Sequence, residues 1–270
     1  MKKITPNVYA ETSFRGANCT FVTTTEGIVM IESPQMPDEA VKWRDEIAKF
    51  GMVRYLINTE PHGDHFSGNY FFQGTVVGHE GTRAAILASN VDQFKERMKT
   101  MSPASLSLLG GFAFRAPTIT LSERLTLYVG NHTFRLVHLP GHSPYQVAVH
   151  IVEEKVVCTS DNIVRVQPYF QQALPLEWLE SLKKYQEFDA DFLVPGHGDV
   201  TDKSFIPVMS KTVQAYIDAT RAAIKAGMTV DQASEDTAFL EKYGIKVPAD
   251  PRAQGVIKMS LAHLYKVLGK

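Results

Sequence analysis

Residues 53–58 (Val-Arg-Tyr-Leu-Ile-Asn) read as a buried strand, and they run with no spacer into Thr59-Glu60-Pro61-His62-Gly63-Asp64-His65. This junction constrains the fold more than any other segment. An apolar, β-branched run must be covered on a sheet. Here the strand end must also place Glu60, His62, Asp64 and His65 on a turn, where they can face one point. Imidazole suits first-row metals, and carboxylate adds charge and harder oxygen donors. Alone, the cluster also fits a solvated loop, since His and acidic residues commonly share surface turns.

Three later segments repeat the arrangement. His142 lies in Pro140-Gly141-His142-Ser143-Pro144 after a strand at 133–138, and Asp161 lies in Thr159-Ser160-Asp161-Asn162 after a strand at 155–159. His197 lies in Pro195-Gly196-His197-Gly198 after a strand at 192–194. Ligand-type residues at four strand ends make coincidence a poor explanation. The remaining pattern predicts strands at 17–24 and 27–32 across Thr25-Glu26, and further strands at 75–78, 119–121, 125–129 and 147–152. Helices are predicted at 37–50 (stopped by Gly51), 82–99, 175–188, 203–226, 229–242 and 251–267, with Gly227 and Pro248 as breaks. Strands and helices in two halves favour two stacked sheets flanked by helices over one parallel sheet. Segment 101–117, apolar around Gly110-Gly111, fits neither pattern. It reads either as a lid over the cleft or as a packed or subunit-contact segment.

Charge excludes some partners. With 28 Lys+Arg against 29 Asp+Glu the 270-residue chain carries a formal charge of −1, which gives no electrostatic reason to expect nucleic acid or an anionic membrane. No apolar run is long enough to span a bilayer and the start lacks a signal-peptide core, so a cytoplasmic protein is expected. Cys19 and Cys158 lack metal-type spacing and read as two buried thiols. Self-association into a homo-oligomer is left open.

Together these residues resemble the metallo-β-lactamase superfamily, whose pattern is His-x-His-x-Asp-His followed by a separate His, an Asp and a final His. The resemblance runs from about 20 to 200 and includes Gly68 after the cluster. It implies an α/β fold, the four-layer αβ/βα sandwich, over 1–202, with a helical segment 203–270 packed on the same domain. It implies two divalent metal ions, zinc first, with Mn or Fe as alternatives. Glu60, His62 and His142 would hold one, Asp64, His65 and His197 the other, and Asp161 would bridge them. A hydroxide between the metals would then attack the substrate. Asp64, Asp161 and Tyr145 are the expected catalytic residues, with the Tyr145 hydroxyl facing a developing oxyanion; packing is the competing role for Tyr145.

The reaction implied is metal-dependent hydrolysis of a small ester, lactone, thioester or amide. A diiron redox or oxygen-handling protein of the same fold is the alternative. Tyr169, Phe170 and Trp178 would line the mouth and select a substrate with an apolar or aromatic part. One position departs from the family pattern, because Glu60 stands where the first His is usual. As a ligand it would lower the net charge of the site by one unit and favour Mn or Fe somewhat. Diiron relatives place their carboxylate at the second position, which here is His62. His79 ends a strand near the cluster without occupying a ligand position. His132, His138, His150 and His263 show no partner pattern.

Overall fold

The computed structural model describes residues 1–269. Its first sheet has seven strands in sequence order: β1 (Lys2–Lys3), β2 (Val8–Glu11), β3 (Cys19–Thr24), β4 (Gly27–Ile31), β5 (Val53–Asn58), β6 (Thr75–His79) and β7 (Ile119–Leu121). β1 to β4 pair antiparallel, and β4 to β7 pair parallel. The second sheet comprises β8 (Arg124–Val129), β9 (His132–His138), β10 (Val147–Ile151), β11 (Val156–Ser160) and β12 (Phe192–Pro195). β8 to β11 form an antiparallel meander, and β12 adds parallel to β11.

The two-residue side-chain period builds four layers. Val29, Ile31, Ile57 and Val77 meet Leu136, Val149, Val156, Cys158 and Val194 between the sheets. The alternate residues Ile28, Met30 and Leu56 face outward onto Trp43 and Ile47 of α1 (Pro37–Ile47). On the opposite side Ala148, Val157 and Leu193 pack beneath α5 (Pro175–Tyr185), α6 (Ile206–Lys225) and α9 (Pro251–Leu268). Strands covered on both faces are apolar throughout, which is why 27–31 and 156–158 show no polar alternation. Cys19 belongs to the α1 layer and Cys158 to the layer between the sheets, both as free buried thiols.

Several boundaries differ from the sequence reading. The expected helix 82–99 is two, α3 (Glu80–Leu87) and α4 (Val91–Met101), because the Asn90 side chain accepts from Gln93 N at 2.9 Å and starts a new helix. Helix 229–242 likewise divides into α7 (Val230–Glu235) and α8 (Thr237–Lys242), where Asp236 caps Phe239 N at 2.9 Å. The helices begun at Pro37 and Pro175 finish at Ile47 and Tyr185, their last residues closing in tighter turns. The N-terminal strands β1 and β2 were not anticipated, although Val8 and Ala10 face the core between the sheets.

Segment 101–117 is spent on packing. It forms a 3-10 turn at Pro103–Leu109, and Leu109 and Phe112 join Met36, Phe94 and Met98 in a satellite core, while Ser102 and Ser105 hydrogen-bond Asp38. Of this segment, Phe114 reaches the depression beside His62. Among the described residues, no helix is long and apolar enough to cross a membrane.

Candidate metal centre

Strand direction gathers the site at one edge of the sandwich. β5 ends at Asn58 and delivers Glu60, after which the chain coils into α2 (Gly63–Phe66) with Asp64 and His65. β11 and β12 run parallel, so Asp161 and His197 leave them on the same side. β10 is antiparallel to β11, so the loop entering it, with His142, returns to that edge. Ser160 adopts a left-handed φ of 49° to turn Asp161 inward. Gly196 leaves room for it, since a Cβ there would overlap Asp161 Oδ1.

The structure brings all seven expected ligand residues together. Glu60, His62 and His142 form one group able to hold a metal, and Asp64, His65 and His197 another; Glu60, His65 and Asp161 form a third between them, donor atoms in each lying within 4.8 Å. His142 Nε2 is 3.2 Å from His62 Nδ1, and Glu60 Oε2 is 3.0 Å from His62 Nδ1. His197 Nε2 lies 3.2 Å from Asp64 Oδ2 and 3.4 Å from Asp161 Oδ2. Glu60 Oε1, both His65 ring nitrogens and Asp161 Oδ1 are buried without a hydrogen-bond partner. Leaving such atoms unpaired is costly. Hard and borderline donors aimed at shared points are what a divalent cation requires, and the residues fit one.

Without a cation the cluster balances its own charge. Burial works against every charge here, yet His65 pulls the Glu60 carboxyl far below its ordinary range, and His197 and His65 do the same for Asp161. Burial also opposes the imidazolium of His62, but Glu60 raises its pKa to about 9. His197 rises to about 10 against the same penalty through Asp161 and Asp64, and His65 is raised well above its usual value by Glu60, Asp64 and Asp161. Burial dominates at His142 and lowers its pKa.

Residues not singled out in the sequence hold this cluster in place. Glu32, at the end of β4 with a left-handed φ of 64°, sits 3.3 Å from His65 Nδ1 and accepts from Thr59 N at 3.0 Å. Asn162 Oδ1 accepts from His142 N at 2.9 Å, and its backbone carbonyl accepts from Trp178 Nε1 at 2.9 Å. Asn18 donates to Pro195 O, Gly196 O and Gly198 O, bracketing the His197 loop. Glu32 was detectable as an acid at the end of an apolar strand, the same signal that marked Asp161. Asn18 and Asn162 carried no such signal.

Other expectations are corrected. Tyr145 does not line the metal cleft: it is 38% exposed and stacks on His79 at 5.3 Å, with Gly81 leaving space for its ring. His79 caps α3, accepting from Gly81 N at 2.9 Å. Phe170 and Trp178 are fully buried behind the site, the Trp178 ring near-perpendicular to that of His142 at 5.6 Å, whereas Tyr169 does line the cleft. The cleft, about 420 Å³, is walled by Gln35, Arg97, Val164, Val166, Gln167, Tyr169, Gln171 and Gln172 around the ligands.

Residues 12–197 match the family model of the metallo-beta-lactamase superfamily. The chain belongs to that superfamily. Among curated relatives, a linear primary-alkylsulfatase from Pseudomonas sp. (strain ATCC 19151) is 22% identical over 284 aligned positions, covering 89% of this chain and 53% of the relative. An acyl-coenzyme A thioesterase from Homo sapiens is 24% identical over 112 positions, 40% of each chain. The chain thus spans about half or less of the curated relatives it matches. Among solved structures, a stereoselective inverting sec-alkylsulfatase from Pseudomonas sp. superposes with a TM-score of 0.75 at 13% identity, covering 98% of this chain and 49% of that one. A metallo-beta-lactamase family protein from Thermus thermophilus gives 0.71 at 15% identity, covering 99% and 95%. At these identities the superpositions establish the fold.

Proposed function

We propose that this chain is a dinuclear metal-dependent hydrolase acting on a small ester, lactone, thioester or amide, with sulfate esters added to the range by its alkylsulfatase relatives. The observation that carries the reading is the convergence of seven buried or half-buried residues with ligand-type side chains, of which Glu60, His65 and Asp161 hold buried polar atoms without hydrogen-bond partners. Glu60, His62 and His142 would hold one divalent ion, Asp64, His65 and His197 a second, and Asp161 would reach both. Two such ions polarise a scissile carbonyl, phosphoryl or sulfuryl oxygen and make water nucleophilic near neutral pH.

The protein's own contributions follow from the cleft. Val164, Val166 and Tyr169 offer an apolar wall to part of the substrate. Among the described lining residues Arg97 is the one permanently cationic side chain, and it makes no ion pair there. It would hold an anionic substituent of the substrate at the mouth of the cleft. In this reading helices 203–269 belong to the same domain, since α6 and α9 share an apolar cluster with β11 and β12.

A second reading rests on the three carboxylates Glu60, Asp64 and Asp161, whose oxygen donors and charge favour Mn or Fe over zinc and admit redox chemistry. One experiment separates the two. Purified protein is analysed for metals, its visible spectrum is recorded, and carboxylic, thio-, lactone, amide and sulfate ester substrates are screened. Two equivalents of a colourless divalent metal with hydrolytic turnover are expected. One equivalent or fewer after full reconstitution, or iron absorption without hydrolysis, would overturn the leading assignment.

A further inference from the structure

Glu60 presents its two oxygens to different ligand groups. Oε2 lies 3.0 Å from His62 Nδ1 and 3.8 Å from His142 Nε2, while Oε1 lies 2.7 Å from His65 Nε2. The last contact is close but is not a hydrogen bond: both atoms are buried and each lacks a partner. Two such atoms side by side are not pointed at one another; both face a third point. Asp161 Oδ1, also buried and without a partner, is 3.5 Å from the same His65 nitrogen, and Glu60, His65 and Asp161 together form a group able to hold a cation. A terminal ligand of the first group alone would not need Oε1 there.

A neighbouring amide explains how that pose is held. Gln146 is fully buried at the entry to β10. With its amide oriented to satisfy both ends, it donates to Glu60 Oε2 at 3.3 Å and Ser143 Oγ at 3.2 Å, and accepts from Asp161 N and Ser160 Oγ, each at 2.9 Å. A single side chain thus ties Glu60 to the backbone of Asp161. The amide nitrogen occupies one face of Oε2 and leaves Oε1 turned toward His65.

We propose that Glu60 is a second bridging carboxylate, Oε2 serving the metal position of His62 and His142 and Oε1 that of His65, and that Gln146 is the positioning residue that keeps it so. The inference rests on the dinuclear reading above. It differs from a simple exchange of His for Glu at a terminal position, because an imidazole there has one inward nitrogen and cannot serve both positions. Two carboxylates would then span the pair, and both metals would depend on residue 60.

The test is a crystal structure of the full chain loaded with zinc chloride, with anomalous scattering at the zinc edge locating the ions. Two peaks are expected, with Oε1 and Oε2 of Glu60 each within about 2.5 Å of a different zinc, against the usual carboxylate distance near 2.1 Å. Two peaks with Glu60 bound to one ion only, or to neither, overturn the bridge and leave the hydrolase assignment standing. A single peak overturns the dinuclear assignment itself. Gln146→Met keeps the buried volume and removes all four amide contacts. In that variant Glu60 should swing off one ion and zinc stoichiometry should fall from two toward one. Unchanged peaks and an unchanged Glu60 pose would remove Gln146 from the proposal, and if the variant does not fold the wild-type distances still decide the bridge.

Discussion

Metal loading should expel about three protons from this protein at neutral pH, a number set by the charge balance of the ligand cluster. With no cation bound, His62 and His197 have pKa values of about 9 and about 10, and the carboxylates around His65 raise it well above normal, so all three rings favour the imidazolium form relative to a free histidine. Burial keeps His142 neutral at pH 7. The carboxylates of Glu60, Asp64 and Asp161 are already ionised, their pKa values lowered by the same imidazoles despite burial. A ring nitrogen must shed its proton before it can coordinate, and each displaced proton makes binding about tenfold tighter per pH unit. The product of the two association constants should therefore rise about a thousandfold per pH unit between roughly pH 6 and 8.

The assay is titration of metal-free protein with zinc chloride in a weakly buffered indicator solution, checked by calorimetry in two buffers of different ionisation heat. Release of one proton or none at pH 7 would falsify the charge assignment. The same shifts bear on folding. A raised histidine pKa contributes stability that is complete below the unfolded value near 6.5 and is lost as pH climbs through the folded value. The metal-free protein should thus weaken between about pH 6.5 and 10, and the zinc-loaded protein should not.

Three further outcomes are expected. Gly196→Ala forces a methyl into Asp161 Oδ1 and to 2.8 Å from Asp161 N, so metal affinity should fall about a hundredfold with the fold retained; elemental analysis still finding two equivalents after dialysis would contradict this. Glu32→Gln replaces the carboxylate beside His65 Nδ1 with a neutral amide, and affinity at the His65 position should drop about ten- to a hundredfold, read by chelator competition. Arg97→Ala should raise KM about tenfold for an anionic substrate with kcat unchanged. An equal effect on a neutral analogue would show that Arg97 does not read charge.

The residues that converge at the site were legible because each group follows an apolar strand at a glycine- or turn-bounded end, so strand direction alone sends Glu60, His142, Asp161 and His197 to a common edge. The four layers were legible for a related reason: runs such as Ile28–Ile31 are apolar at every position, which only burial on both faces explains. The supporting shell was hidden. Gln146 and Asn18 are single polar residues in apolar or irregular surroundings, and what they do depends on partners far away in the chain. Side-chain direction was hidden too. Tyr145 is three residues past His142, yet its ring turns to His79, and Phe170 and Trp178 turn inward where an aromatic mouth was expected. The helix break at Asn90 turned on one cap that outweighed a continuous helical period.

Asn18 has a wider consequence. It lies just before β3, in the first sheet, while the carbonyls it grips belong to the loop that leaves β12 in the second. The last ligand is thus carried by one half of the sandwich and anchored by the other. Any slip of the halves past one another would part His197 and Asp161, carried by the second sheet, from Asp64, carried by the first. The centre therefore acts as a gauge of alignment between the halves, and a nascent chain can complete it only after both have docked.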